Sequence, residues 1–263
     1  MPYIKSFSIQ SNKVKPFPFN VPAIRFAKEV ELSDRLNFFV GDNGTGKSTL
    51  IEALAFRLQL PNIDGSDYSK KAFQSAISLA PYLEINFKID RPIGFFFRAE
   101  DFGDYMNSID RADEKLHKNL ESLEGEVPDH IIQTMKENAN YQLYHVRQNY
   151  GQELGTFSHG EAYMKIIQEK IRKKGIYILD EPEAALSPAK QLALIYHIKE
   201  HLKNHMSQFI IATHSPILMS IPDSTLYEIT EDSMLKTAVE DTEHYQITKN
   251  FLNNPGMYLR HLE

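Results

Sequence analysis

Apolar residues recur along this chain in short strand-length runs separated by stretches of helical spacing, the alternation of an α/β domain. Residues 1–40 read as strands and turns, with Pro16 and Pro18 breaking any helix and short apolar runs at 23–26 and 36–40. Residues 41–46 form a glycine-rich turn. A helix is predicted over 48–58, with Leu50, Ile51, Leu54, Ala55 and Leu58 on one face and Pro61 as its stop. Residues 83–89 alternate like a half-buried strand, and 94–98 read as its hairpin partner across the turn at Arg91-Pro92.

From 101 to 157 the pattern weakens. Acidic residues increase, Ile109, Leu116, Leu120 and Leu123 keep a helical spacing, and a second weak helix runs over 128–139. This stretch predicts a helical lobe inserted into the α/β core, and its acidic portion at 110–126 reads as a solvated surface. Beyond it come a helix at 160–172, a fully apolar strand at 176–179, an amphipathic helix at 188–203 and a buried strand at 209–212. A short strand at 226–229 and a polar helical tail from 242 close the chain.

Composition adds exclusions. The 263 residues contain no cysteine, which rules out disulfide frameworks and thiolate zinc sites and fits a reducing compartment. No apolar run approaches the roughly 20 residues of a membrane helix, and the N-terminus lacks the pattern of a secretory signal. A cytoplasmic protein without membrane insertion is expected. The net charge of −6 argues against indiscriminate nucleic-acid binding while leaving a local patch open.

Chemistry concentrates at two places. Gly41-Asp42-Asn43-Gly44-Thr45-Gly46-Lys47-Ser48 satisfies the phosphate-loop pattern. Glycines let successive backbone N–H groups point at phosphate oxygens, and the helix N-terminus that follows adds a favourable dipole. Lys47 is then expected at the β- and γ-phosphates, and the Ser48 hydroxyl on Mg²⁺. The strand at 176–179 ends in Asp180 and Glu181. Asp180 is placed to support the metal, as a Walker B aspartate does, and Glu181 to polarise an attacking water.

Three further segments carry a resemblance. Phe157-Ser158-His159-Gly160-Glu161 resembles the ABC signature motif, and its interval before Asp180 fits. Ala184-Ala185-Leu186-Ser187-Pro188 resembles the D-loop, and Ile211-Ala212-Thr213-His214-Ser215-Pro216 resembles the switch-histidine loop. With the loop extended to Thr49, the chain is similar to the small stand-alone bacterial ATPases related to RecF, SMC and OLD-type ABC ATPases. The likeness reaches into the tail through Glu243-His244-Tyr245-Gln246. It implies one ABC-type ATPase domain over 1–263: an α/β P-loop NTPase with a mixed sheet core, an N-terminal antiparallel β part and a small helical lobe at 101–157. It further implies ATP hydrolysis in a head-to-tail homodimer. There Ser158 and Gly160 of one subunit close over the γ-phosphate held at Lys47 of the other, and His214 senses that phosphate.

The chain also departs from the pattern. His159 replaces the usual first glycine of the signature pair. No glutamine stands where a Q-loop would follow the strand ending near Arg98, so Arg98 or Glu100 either reaches the metal site or forms a strand-end ion pair. No aromatic stacker for adenine is evident. Lys47 and Ser158 lie too close in sequence for a long coiled-coil arm. His197, His201 and His205 recur every fourth residue, a spacing that fits either a metal site or a solvated helix edge. Arg172-Lys173-Lys174 reads as helix C-terminal charge or a DNA contact. A nucleotide switch in DNA repair or anti-phage defence, with a separate effector partner, is the expected role. A membrane-transporter ATPase subunit is the alternative, ahead of a P-loop kinase or a non-hydrolysing module.

Overall fold

The computed structural model describes residues 3–10, 16–62, 73–87, 93–106, 128 and 159–260. The chain divides into two compact units, one formed by Met1–Ala99 with Arg172–Glu263 and the other by Glu100–Ile171. Most of the lobe expected at 101–157, including the helix at 128–139, lies outside the described residues, as do Ser158 and the turn at Arg91-Pro92.

The larger unit holds two sheets. Strands β1 (Ile4–Ile9), β2 (Val30–Glu31) and β4 (Leu83–Phe87) form an antiparallel sheet in the order β2-β1-β4. The second sheet contains β3 (Leu36–Gly41), β5 (Gly94–Arg98), β6 (Ile176–Asp180), β7 (Gln208–Ala212), β8 (Thr225–Ile229) and β9 (Met234–Lys236). Its order is β5-β6-β7-β3-β8-β9, parallel except for the antiparallel edge strand β9. Every residue of β3, β6 and β7 is buried, the composition of parallel strands covered on both faces.

The helices are α1 (Pro22–Arg25), α2 (Lys47–Arg57), α3 (Gln74–Leu79), α4 (His159–Lys170), α5 (Pro188–Asn204), α6 (Pro216–Met219), α7 (Glu243–Asn253) and α8 (Pro255–Leu259). Helix α2 touches strands of both sheets. That is why it buries Leu50, Ile51, Ala53, Leu54 and Ala55 almost all round rather than along one stripe. Helix α4 belongs to the smaller unit, where Phe102 and Tyr163 pack edge to face at 5.0 Å. Among the described residues, no helix is long and apolar enough to cross a membrane.

Two sequence expectations are overturned. Residues 23–26 are not a strand, because Pro22 presets a helical φ at the first position of α1 and Ala23 N–H donates to Thr45 O at 2.8 Å. Strands β4 and β5 are not a hairpin. Half-exposed β4 pairs antiparallel with β1, whereas Phe95, Phe96 and Phe97 of β5 are buried and β5 joins β6 in parallel. Neighbourhood in sequence lost to the gain from burying three phenylalanines.

The sheets are tied together by one fully buried side chain. Gln208 Oε1 accepts from the N–H groups of Tyr3 and Ile4 at 3.2 and 2.9 Å, and its Nε2 donates to Ile4 O and Ser33 O at 2.9 and 2.8 Å. Gln208→Leu keeps the volume but strands those backbone groups. It should lower stability by about 3 kcal/mol, read as a reduced midpoint in chemical denaturation; an unchanged midpoint would mean that water replaces the amide without loss.

Candidate nucleotide site

The C-terminal ends of the parallel strands converge, as expected where open α/β sheets hold ligands. Strand β3 delivers the glycine-rich loop, β6 delivers Asp180 and Glu181, and β7 delivers Thr213 and His214. Lys47, Ser48, Asp180, Glu181 and His214, distant in sequence, form one cluster.

The loop conformation is dictated by backbone approach. Gly41 has φ 147°, and a Cβ there would lie 2.2 Å from Ile229 O on the neighbouring strand. Gly46, at φ 89°, would drive a Cβ to 2.4 Å from Val21 Cγ2. Neither position admits a side chain. Thr45 Oγ1 donates to Asp42 O at 2.8 Å, closing the turn that also contains Asn43 and Gly44. No side chain caps the N-terminus of α2, the arrangement in which first-turn N–H groups can receive an anion. Thr49 follows in the first turn. Lys47 is buried, and its Nζ donates to Gly41 O and Asp42 O at 2.8 and 2.9 Å. Burial lowers its pKa, while the carboxylates of Glu181, Asp180, Asp42 and Glu183 pull the other way.

Ser48 Oγ donates to Asp180 Oδ1 at 3.1 Å. Burial, then the nearby Glu52 carboxylate, pushes the Asp180 pKa up to about 8. A hydroxyl and a carboxylate are hard oxygen donors suited to Mg²⁺, which typically takes few protein ligands and completes its shell with phosphate and water. Among the described residues there is no cluster of three or more His, Cys, Asp or Glu that could hold a metal ion.

Glu181 adopts φ 48°, left-handed backbone unusual outside glycine, and its N–H donates to Ala212 O at 2.9 Å. That turn carries its carboxylate off the strand axis to 3.3 Å from His214 Nε2. His214 is held below the ordinary imidazole range, chiefly by burial and then by Lys47.

Glu183, Gln191 and Glu52, to which sequence reasoning gave no role, complete the surroundings. Glu183 Oε1 accepts from Thr213 Oγ1 at 2.6 Å and from His214 N–H at 2.8 Å, fixing the switch loop, and burial raises its pKa. Ser215 Oγ donates to Gln191 Oε1 at 2.6 Å, joining that loop to α5. Arg98 is buried and pairs with Glu52 at 3.0 Å, the strand-end ion pair of the two alternatives, with its guanidinium over the Phe73 ring. The signal for Glu52 was legible: it is an acid four residues after Ser48 within an apolar helix. Beside the loop lies a cavity of about 750 Å³ bordered by Pro22, Arg25, Glu228, Glu231, Glu243 and His244, with no Phe, Tyr or Trp among the described residues that line it.

Gly160 lies buried in the first turn of α4, in the smaller unit. Of the histidines on α5, His201 is not on a solvated edge. His201 is buried, shares a hydrogen bond with Ser207 Oγ at 2.9 Å and packs against Tyr177 and Phe209. Burial depresses its pKa to about 4.

The sequence profile of the AAA domain family matches residues 18–212. The nisin transport ATP-binding protein NisT of Lactococcus lactis subsp. lactis is 29% identical over 191 residues, which are 70% of this chain. The chain spans 30% of the length of that relative. The structure of an SMC head bound to the C-winged helix domain of ScpA superposes with a TM-score of 0.53 at 15% identity, covering 91% of this chain and 99% of that one. The SMC head domain from Thermotoga maritima superposes with a TM-score of 0.46 at 16% identity, covering 89% and 99%. At such identities the likeness is one of fold.

Asp180 also fixes the sign of a pH dependence. Its folded pKa of about 8 lies above the ordinary carboxyl value of 3.8, so the folded state holds a proton that the unfolded state releases. Its contribution is complete below about pH 4 and is lost as pH rises through about 8. In metal-free protein the denaturation midpoint should fall over that window, and Asp180→Asn should flatten the fall; parallel profiles would assign it elsewhere.

Proposed function

The chain belongs to the AAA domain family and has the head fold of ABC-type ATPases, and from that premise we propose that it binds ATP with Mg²⁺ and hydrolyses it as a nucleotide-driven dimer switch. The observation that carries the reading is the convergence of a phosphate loop, a Ser48–Asp180 pair with Asp180 buried, and a Glu181–His214 pair at the ends of three strands.

In this reading the loop from Gly41 to Gly46, with Thr49 behind it, wraps the phosphates through backbone N–H groups. Lys47 neutralises the β- and γ-oxygens, leaving its carbonyl partners for the phosphate. Ser48 and Asp180 would hold Mg²⁺, which supplies charge neutralisation at the transferring phosphoryl group. Glu181 orients and polarises the attacking water, and His214 stabilises the γ-phosphate. Ser158 and Gly160 of a second copy close the site head to tail, so that bound ATP bridges the two subunits. We take that switch to be cytoplasmic and to act with a separate effector protein in DNA repair or defence. The similarity to NisT favours a second reading, a transporter's ATP-binding subunit.

Glu181→Gln should retain ATP binding, lower turnover roughly 10²–10⁴-fold and accumulate an ATP-bound dimer in gel filtration. Undiminished hydrolysis would remove Glu181 from the base role. Lys47→Ala should weaken ATP binding roughly 10- to 100-fold by calorimetry; equal affinity would count against the loop. Stimulation of turnover by DNA rather than by membrane fractions separates the two roles.

A further inference from the structure

Helix α7 reaches the site through its second residue. Its start is fixed by the buried Thr242, whose Oγ1 donates to Val239 O at 2.7 Å, and by Glu243 N–H, which donates to Glu228 Oε1 at 2.9 Å. From there His244 Nε2 lies 3.2 Å from His214 Nδ1 and 3.7 Å from Asp42 Oδ1 of the phosphate loop. The two imidazoles are 5.3 Å apart, centroid to centroid. On its other edge, His214 Nε2 is buried, has no aligned hydrogen-bond partner and lies 3.3 Å from Glu181 Oε1.

We infer that His244 is a positioning residue for His214: its Nε2–H donates to His214 Nδ1 and so fixes the tautomer of His214 that carries its proton on Nε2. A neutral imidazole has one N–H and one bare nitrogen, and the bond made by one nitrogen decides the state of the other. Asp42 settles the direction, because its carboxylate oxygen beside His244 Nε2 favours a proton on that atom. His214 Nδ1 is then the acceptor, and its own proton sits on Nε2, the buried atom 3.3 Å from Glu181 Oε1. The unaligned donor is thus held ready for an oxyanion. Depression of the His214 pKa by burial and Lys47 keeps the ring neutral, the condition in which the tautomer matters. The C-terminal helix, outside every phosphate-binding motif, thereby sets the state of a site residue.

The tautomer assignment stands apart from hydrolysis, whereas its catalytic consequence rests on the reading of His214 and Glu181 given above. Long-range proton–nitrogen correlation spectra of the nucleotide-free full chain, labelled with ¹⁵N-histidine, read the tautomer directly, with His214→Asn identifying the signal. The wild type should show bare Nδ1 and protonated Nε2 at His214. His244→Ala should shift population toward protonated Nδ1, and His244→Gln, whose amide Nε2 can donate, should restore the original pattern. His244 is one-fifth exposed, so both variants are compatible with folding. In ATPase assays His244→Ala should lower kcat about tenfold with little change in KM, and His244→Gln should recover most of it. A wild-type His214 protonated on Nδ1, or a spectrum unaffected by His244→Ala, would overturn the assignment. The expected tautomer with equal kcat in both variants would overturn its catalytic role, and a wild type without turnover would sink the hydrolytic reading instead.

Discussion

A carboxylate buried at the tip of a central parallel strand is the constraint on which the remaining structure depends. Asp180 sits between β5 and β7, where water is excluded, and burial dominates its ionisation. Around it lie Glu52, Glu181 and Glu183, with Arg98 and Lys47 as the nearby cations. Arg98 is already committed to Glu52, and Lys47 is folded back onto two carbonyls. Among the described residues, acids outnumber cations around the point where Ser48 and Asp180 present hard oxygen atoms, an excess that under the proposed function a Mg²⁺–nucleotide complex would balance.

Holding that cluster requires backbone conformations that ordinary residues avoid. Gly41 and Gly46 permit the loop because parallel β8 and helix α1 press against it from two sides. Glu181 adopts left-handed backbone despite its side chain. The surrounding core supports this turn through β7, which accepts its N–H at Ala212, and through α2, wedged between the two sheets. Gln208 and Asn37, both fully buried, tie strand backbones together behind the loop. The site is rigid because its frame is assembled from both sheets at once.

A chain of hydrogen bonds leads away from the site. Glu183 holds the backbone of the switch loop, Thr213 and Ser215 pass that constraint to Gln191 on α5, and His244 joins the same loop to α7. Helix α7 and the following α8 expose Ile247, Leu252 and Met257. The tail thus combines an anchored first turn at the site with an apolar surface beyond it.

What the sequence determined by itself was local. The glycines and Lys47 of the phosphate loop, the apolar strand ending in Asp180 and Glu181, and helices α2 and α5 were legible because spacing and composition over a few residues specify them. The roles of Glu183 and His244 were not, and the choice between the two alternatives for Arg98 stayed open, since each depends on a partner far along the chain or on a neighbouring strand. The same holds for the mistaken hairpin of β4 and β5 and for the solvated reading of His201. Only tertiary structure decided those points, because strand pairing and burial are set by the total apolar surface removed from water. A short window of sequence carries the chemistry of a motif, but the state of His214 is set by a histidine brought to it by the far end of the fold.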